Sequence, residues 1–151
     1  MEPTAIRPAS PDDLPALREL LRAAALPASD VGQGPQRFLL AWEGGRLVGS
    51  VGLELHGRDG LLRSLAVLPG LRGRGLGAEL LRRALELAAA RGVGDVYLLT
   101  TTAERWFARR GFARIGREQA AAALQATPEF AALCPSTAAC MVRRRPGPPP
   151  A

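Results

Sequence analysis

The sequence contains no lysine and no asparagine, a single histidine, two cysteines and only 5% aromatic residues among its 151 positions. Each scarcity excludes something. Cys134 and Cys140 are too few for a disulfide framework and lack the Cys-x-x-Cys spacing of a metal site, so no metal is expected and a reducing cytoplasm is the natural setting. So few aromatics offer little stacking surface for single-stranded nucleic acid. No apolar run approaches the ~20 residues that cross a bilayer. The opening Met1-Glu2-Pro3-Thr4 has neither the basic segment nor the apolar core of a signal peptide. With lysine absent, all 20 basic residues are arginine, and the net charge of +6 is dispersed apart from Arg143-Arg144-Arg145. That dispersal predicts neither a nucleic-acid nor a membrane partner.

What is present suits one domain: 151 residues, 47% of them hydrophobic, with near-zero mean hydropathy. The chain is organised around Leu61-Leu62-Arg63-Ser64-Leu65-Ala66-Val67-Leu68-Pro69-Gly70-Leu71-Arg72-Gly73-Arg74-Gly75-Leu76-Gly77. This is an apolar strand, a Gly- and Arg-rich turn and the start of an amphipathic helix. A helix N-terminus carries unpaired N–H groups and a positive partial charge, which together attract phosphate. Arg72 and Arg74 add charge, and the glycines at 73, 75 and 77 allow close approach to the backbone. The run lacks the Gly-Lys-Ser/Thr ending of an NTPase loop and reads Gly-x-Gly-x-Gly rather than Gly-x-Gly-x-x-Gly. It fits Arg-x-x-Gly-x-Gly at Arg72, Gly75 and Gly77, after a strand ending Leu-Ala-Val-x-Pro. There it resembles the acetyl-CoA-binding motif of the GCN5-related N-acetyltransferases, the GNAT superfamily. A glycine-rich loop that merely turns the chain is the alternative.

Periodicity predicts a strand at residues 4–8 and a helix opening at Ser10-Pro11-Asp12-Asp13 and ending at Leu26-Pro27. Strands follow over Phe38–Trp42 and Leu47–Leu55, joined at Gly44-Gly45. Gly49 and Gly52 are expected at bulges or close contacts. His56 to Gly60 should turn the chain into the strand at Leu61. A helix from Leu76 to Arg91 then leads to a strand, Val96–Thr100, parallel to 61–67. Thr102 is expected to cap a short helix from Ala103 to Arg110. A strand at Ala113–Arg117, a helical Ala120–Gln125 and a last strand at Ala138–Val142 complete the order. The pattern is like the GNAT fold: an α/β (α+β) protein with a mixed, mostly antiparallel sheet, a splayed central parallel pair and helices on both faces. The domain is expected over 1–145, with 146–151 a Pro-rich disordered tail.

A second resemblance covers Tyr97 to Phe112, where Leu-Thr-Thr leads into Trp106-Phe107 and Gly111-Phe112. It is similar to bacterial N-acetylglutamate synthase GNAT domains. Leu61-Leu62-Arg63-Ser64-Leu65-Ala66-Val67 and the ending Phe130 to Met141, with its Cys134-Pro135, are similar to small GNAT proteins of bacterial arsenic-resistance gene clusters. These resemblances imply acetyl-CoA as co-substrate. Leu65, Ala66 and Val67 would hold the pantetheine and polarise the carbonyl. Arg72, Gly73, Arg74, Gly75, Leu76, Gly77 and Ala78 would hold the pyrophosphate. Many GNATs carry a proton-donating Tyr where this chain has Phe107. The glutamate synthases use a strand-end hydroxyl that aligns with Thr100, which otherwise is simply a β-branched residue finishing a strand.

The glutamate synthases carry a Glu where this chain has Leu61. That leaves Glu54 as the nearest acid to serve as base; the other reading is a solvent-facing strand residue. His56 is read as a surface residue. Arg63, with Ser64 on the opposite face or at a bulge and Thr101 nearby, is expected to bind substrate. A guanidinium in an apolar strand demands a partner: a carboxylate or oxyanion of the acceptor, or a salt bridge to Glu54 or Asp59. Trp106-Phe107 reads as core near the cofactor. Cys134 and Cys140 could share a strand face and bind arsenic, or simply fill space. The expected acceptor is the amine of a small amino acid or analogue, narrowed by the arsenic-cluster resemblance to an arsenical or phosphinic one. Glutamate is the alternative, and a non-catalytic acyl-CoA sensor the reading from another class. A homodimer is left open.

Overall fold

A computed structural model of the chain describes residues 4–133 and 137–144. The strands are β1 (Ala5–Pro8), β2 (Gln36–Glu43), β3 (Arg46–His56), β4 (Asp59–Val67), β5 (Asp95–Thr100), β6 (Ala113–Ile115) and β7 (Ala139–Arg143). The helices are α1 (Leu14–Ala23), α2 (Leu76–Ala90), α3 (Glu104–Ala108) and α4 (Ala122–Gln125), and a π-helical turn spans Glu129–Leu133. The seven strands form one sheet in the order β1-β2-β3-β4-β5-β7-β6. Among the described residues only β4 and β5 are parallel; every other neighbouring pair is antiparallel. The mixed, mostly antiparallel sheet expected from the sequence is the one observed.

The two faces follow from the strand period of two. On β2, Phe38 and Leu40 pack with Leu17, Leu20 and Leu21 of α1. The alternate residues Leu39 and Ala41 pack with Leu80, Leu81 and Ala84 of α2. Each helix therefore covers its own face, with its apolar stripe at i, i+3, i+4 spacing. Burying one such leucine stabilises the fold by about 1.5–3 kcal/mol. A third cluster, under α4, joins Leu61, Tyr97, Leu124, Phe130 and Cys140.

Two departures from regularity shape the centre of the sheet. First, the parallel ladder covers only Asp59↔Asp95, Gly60↔Val96 and Leu61↔Tyr97. Beyond Leu61 the strands part, because the antiparallel β7 follows β5 up to Thr100 while β4 stays with β3 to Val67. Second, Ser50 pairs with Ala66 and Gly52 with Arg63, so Val51 faces two residues, Ser64 and Leu65. This bulge carries Ser64 at φ +57°, a left-handed conformation uncommon outside glycine. The Ser50 hydroxyl donates to the Ser64 carbonyl at 2.7 Å in the interior, which satisfies the displaced group.

Several boundaries shift from the sequence expectation. The first helix opens with a short 3-10 turn at Pro11–Asp13, where the Ser10 N–H donates to Asp13 Oδ2 at 2.8 Å, and α1 ends at Ala23 rather than Pro27. β4 begins at Asp59, two residues before Leu61, because His56 already pairs with Asp59. The helix expected from Ala103 to Arg110 is shorter, and its opening N–H, that of Ala103, is taken by Thr100 Oγ1 at 3.0 Å rather than by Thr102. Gly52, rather than marking the bulge itself, marks a close contact. A Cβ there would lie 2.6 Å from the Phe38 ring. The Pro-rich segment 146–151 and Cys134 lie outside the described residues.

Candidate active-site cleft

Where β4 and β5 part, a cleft of about 1210 Å³ opens across the sheet. Its walls are Leu62 to Val67 on one side and Leu98 to Ala103 on the other. One end is closed by the turn at 71–78, the other by Ala24, Ala25, Leu26 and Pro27, which follow α1. On its β5-facing edge, β4 past Leu61 has no ladder partner among the described residues. Such a strand edge offers backbone donors and acceptors to an extended ligand, as in strand addition.

The turn end is built for anions. A 3-10 turn at Pro69–Leu71 lifts the chain off β4, and α2 starts at Leu76 with Gly75 as its N-cap at φ +81°. A side chain at Gly75 would be strained in that conformation, although nothing stands within 4 Å of the added Cβ. The space in front of Gly75 is open and the backbone is glycine-dependent, which suits close approach by a phosphate group. Leu65, Ala66, Val67, Arg72, Gly73, Gly75, Leu76, Gly77 and Ala78 all line the cleft. Arg74 does not; it faces a separate depression of about 230 Å³ beside Thr4, Glu43 and Glu79. Arg105, Arg109 and Arg110 from the α3 region also line the cleft, and Arg110 stacks on Trp106 at 3.8 Å. Trp106 in turn approaches Gly77, while Phe107 is buried against Phe112.

Thr100 and Thr101 line the opposite wall. Thr100 Oγ1 accepts the Ala103 N–H, so its own O–H remains free to donate. That is the hydrogen-bonding state a proton donor needs. The aromatic ring of Phe107 has no proton to offer.

Beside the β4 wall of the cleft lies an ionic node. Arg63 projects from β4 with its side chain wholly buried. Its Nη1 and Nη2 donate to the two carboxylate oxygens of Asp30, the Nη2 bond being 2.6 Å. Nη1 also donates to Glu54 Oε2 at 2.7 Å, and Nε donates to Ser64 Oγ at 3.1 Å. Glu129 Oε1 stands 3.5 Å from Nε. The remaining oxygen of Glu54 meets His56 Nε2 at 3.2 Å. Burial by itself pulls the Arg63 pKa down, but the Asp30 hydrogen bond, the Glu129 charge and the Glu54 hydrogen bond outweigh it, leaving the pKa raised. Burial pushes Glu129 up to about 7; Arg63 opposes this, and the Glu54 and Asp30 charges reinforce it.

The node amends several expectations. Glu54 is not solvent-facing: it is 3% exposed, behind the cleft wall. His56 is partly buried and bonded to it rather than lying free on the surface. Arg63 and Ser64 do line the cleft, but the guanidinium already holds protein carboxylates. Those include Glu54 but not Asp59, which pairs with His56 in the β3–β4 ladder. Asp30 and Glu129 were invisible in the sequence. They reach Arg63 from positions 33 residues before and 66 residues after it, through irregular segments without periodicity. An odd number of buried carboxylates around one arginine leaves no local trace in the chain.

A sheet split at the one parallel pair among the described residues, with a helix N-terminus suited to phosphate at the split, has the form of a protein that takes an extended, anion-bearing ligand between two strands. The chain belongs to the acetyltransferase (GNAT) family, whose profile matches residues 5–114. Amino-acid acetyltransferases of Pseudomonas putida are 44% identical over 64 residues, 42% of this chain. The chain spans only 15% of the length of these relatives. N-acetylglutamate synthase from Neisseria gonorrhoeae, crystallised with coenzyme A and L-arginine, superposes with a TM-score of 0.77 at 23% identity. The match covers 96% of this chain and 34% of the synthase. A GNAT acetyltransferase from Staphylococcus aureus gives 0.76 at 17% identity, over 94% and 99% of the two chains. At these identities the structures establish the shared fold.

Proposed function

We propose that this protein transfers an acetyl group from acetyl-CoA to the amine of a small amino acid or amino-acid analogue. The observation that carries the reading is the opening of β4 from β5 beyond Leu61, with a free strand edge on one side and the 72–78 turn at its end. Backbone groups of Leu65 and Val67 suit the amides of an extended pantetheine chain. N–H groups from Arg72 to Ala78, with the arginine charges, suit its pyrophosphate. In the transfer the amine nitrogen bonds to the acetyl carbon as the carbon–sulfur bond breaks. The nitrogen gives up a proton and the departing thiolate gains one. Thr100, whose O–H is uncommitted, donates the second proton. Glu54 receives the first through water, buried as it is behind Arg63.

The amino-acid acceptor draws support from the curated relatives, which are amino-acid acetyltransferases, and from a structural neighbour crystallised with N-acetyl-glutamate. Arsenical and phosphinic glutamate analogues fit the same amine-plus-oxyanion description and rest on the resemblance of the Arg63 strand.

Two measurements test this. Calorimetric titration should detect acetyl-CoA binding that Gly75→Glu abolishes; undiminished binding by that variant ends the reading of the turn. Thiol release is then followed with glutamate, its arsenical and phosphinic analogues, polyamines and aminoglycosides. Turnover with the amino-acid group is expected. Preference for polyamines or aminoglycosides overturns the acceptor assignment, and acetyl-CoA binding without turnover on any amine favours a sensor.

A further inference from the structure

Arginine has five N–H donors, and their disposition at Arg63 is uneven. The end of the guanidinium is closed by Asp30, held through both Nη atoms, and the flank of Nη1 is closed by Glu54. On the opposite edge, Nε donates to Ser64 Oγ, while the second hydrogen of Nη2 has no acceptor among the described residues. This Nε/Nη2 edge is one of the two faces on which arginine grips a carboxylate in parallel. Beside it stands Glu129, 4% exposed and 3.5 Å from Nε, with no hydrogen bond to its carboxylate among the described residues. Asp30 and Glu54 already outnumber the single buried cation, so Glu129 is surplus to its neutralisation. A surplus buried carboxylate is costly unless it serves the site or takes up a proton.

We propose that the Nε/Nη2 edge of Arg63 is the seat for the acceptor's carboxylate or equivalent oxyanion, and that Glu129 takes up a proton to admit it. The inference rests on the amino-acid reading above and adds to it a proton-linked binding step. The donors of the seat are the free Nη2–H and the hydroxyl of Ser64, which accepts from Nε and keeps its own proton to donate. The bulge, with its unusual backbone at Ser64, places that residue on the cleft wall beside Arg63. Once protonated, Glu129 changes from a repelling charge into a third donor. Its raised pKa, near neutrality, makes that uptake accessible under ordinary conditions. The charged groups facing it are Arg63 from β4, Glu54 from β3 and Asp30 from the loop after α1, and His56 joins the cluster through its contact with Glu54.

The test is calorimetric titration of L-glutamate into the CoA-bound protein between pH 6 and 9, in two buffers of different ionisation heat. Affinity should fall about tenfold per pH unit above about pH 7, with close to one proton taken up per glutamate bound. Glu129→Gln should bind glutamate as tightly as the wild type at pH 6 and lose the pH dependence. Ser64→Gly, which tolerates the positive φ, should weaken binding about tenfold or more at every pH with the slope intact. pH-independent binding by the wild type, or a wild-type slope in Glu129→Gln, overturns the inference while leaving the acceptor class standing. Failure of glutamate to bind at pH 6, with turnover of an amine that lacks a carboxylate, overturns both. If Glu129→Gln does not fold, wild-type proton uptake decides alone.

Discussion

The two ends of the cleft hold charge in opposite ways. At the turn end, Arg72 and Arg105 are solvent-exposed, and the anion binding proposed there rests on backbone N–H groups at the start of α2. At the node a single guanidinium is buried among three carboxylates contributed by three separate segments. An exposed charge is replaceable, since water solvates whatever is left when its partner goes. A buried one is not, because its partners lose both their counter-ion and any access to solvent. The same split separates what each end contributes. In the reading proposed above, the turn grips phosphate and the node bears on which acceptor sits beside it.

The largest effect that separates the ends is therefore expected at Arg63. Arg63→Met leaves Asp30, Glu54 and Glu129 facing one another without a cation, which should cost about 3–5 kcal/mol of stability at neutral pH. Arg72→Met at the other end should unfold with the wild type. Denaturant titration of both variants checks the pair, and equal losses would erase the distinction.

Next in size is the pH dependence contributed by Glu129. Its folded pKa of about 7 lies above the ordinary glutamate value, so the folded state binds the proton more tightly. Its stabilising contribution is complete below about pH 4 and declines as pH rises through the unfolded value towards 7, after which it stays constant. The total change is on the order of 3 kcal/mol. Glu129→Gln should remove that decline and be more stable than the wild type at pH 8. Parallel stability curves for the two proteins would show that the carboxyl titrates normally.

The turn end was readable from the chain because its chemistry is local. Arg72, Gly73, Gly75 and Gly77 are neighbours, and a strand and a helix of the correct period flank them. The strand order up to β5 was readable for the same reason. The insertion of β7 between β5 and β6 was not, since pairing across 40 residues depends on the whole sheet. The node escaped for a related reason. Arg63 announced that a partner was needed, and Glu54, two positions along the adjoining strand from the residue opposite it, could be named. Asp30 and Glu129 come from irregular segments whose course is set by packing, such as that of Phe130 against Leu61 and Leu124. The bulge at Ser64 left only an ambiguous sign, because serine does not advertise a left-handed backbone as glycine does.

Between the two ends, Thr100 tests the chemistry alone. Thr100→Val keeps the β-branched shape that ends β5 and removes the hydroxyl. kcat should fall about tenfold to a hundredfold, the ordinary range for losing an acid–base group, with acetyl-CoA affinity little changed. Loss of the bond to Ala103 could loosen α3, so acetyl-CoA binding must be measured alongside turnover. An unchanged kcat removes Thr100 from the proton path.

The smallest effect is expected on the exposed face of α2, where a charge cluster looks on paper as strong as the buried one. Glu79 bonds Arg82 at 2.5 Å and Arg83 at 3.2 Å, and Arg82 also bonds Glu86. The Arg82 hydrogen bond, followed by that of Arg83, holds the Glu79 carboxyl down at about 2. A depressed carboxylate contributes stability above its unfolded pKa and loses it as pH falls towards the folded value, here between about 4.5 and 2. Glu79 nevertheless keeps 39% of its side-chain surface open to water, so screening and side-chain entropy absorb most of the attraction. Glu79→Gln should leave Tm at pH 7 within error of the wild type, in high salt as in low. A clear drop in Tm that salt abolishes would mean that this exposed network stabilises the protein as a buried one does, and the contrast between the two ends would lose its physical basis.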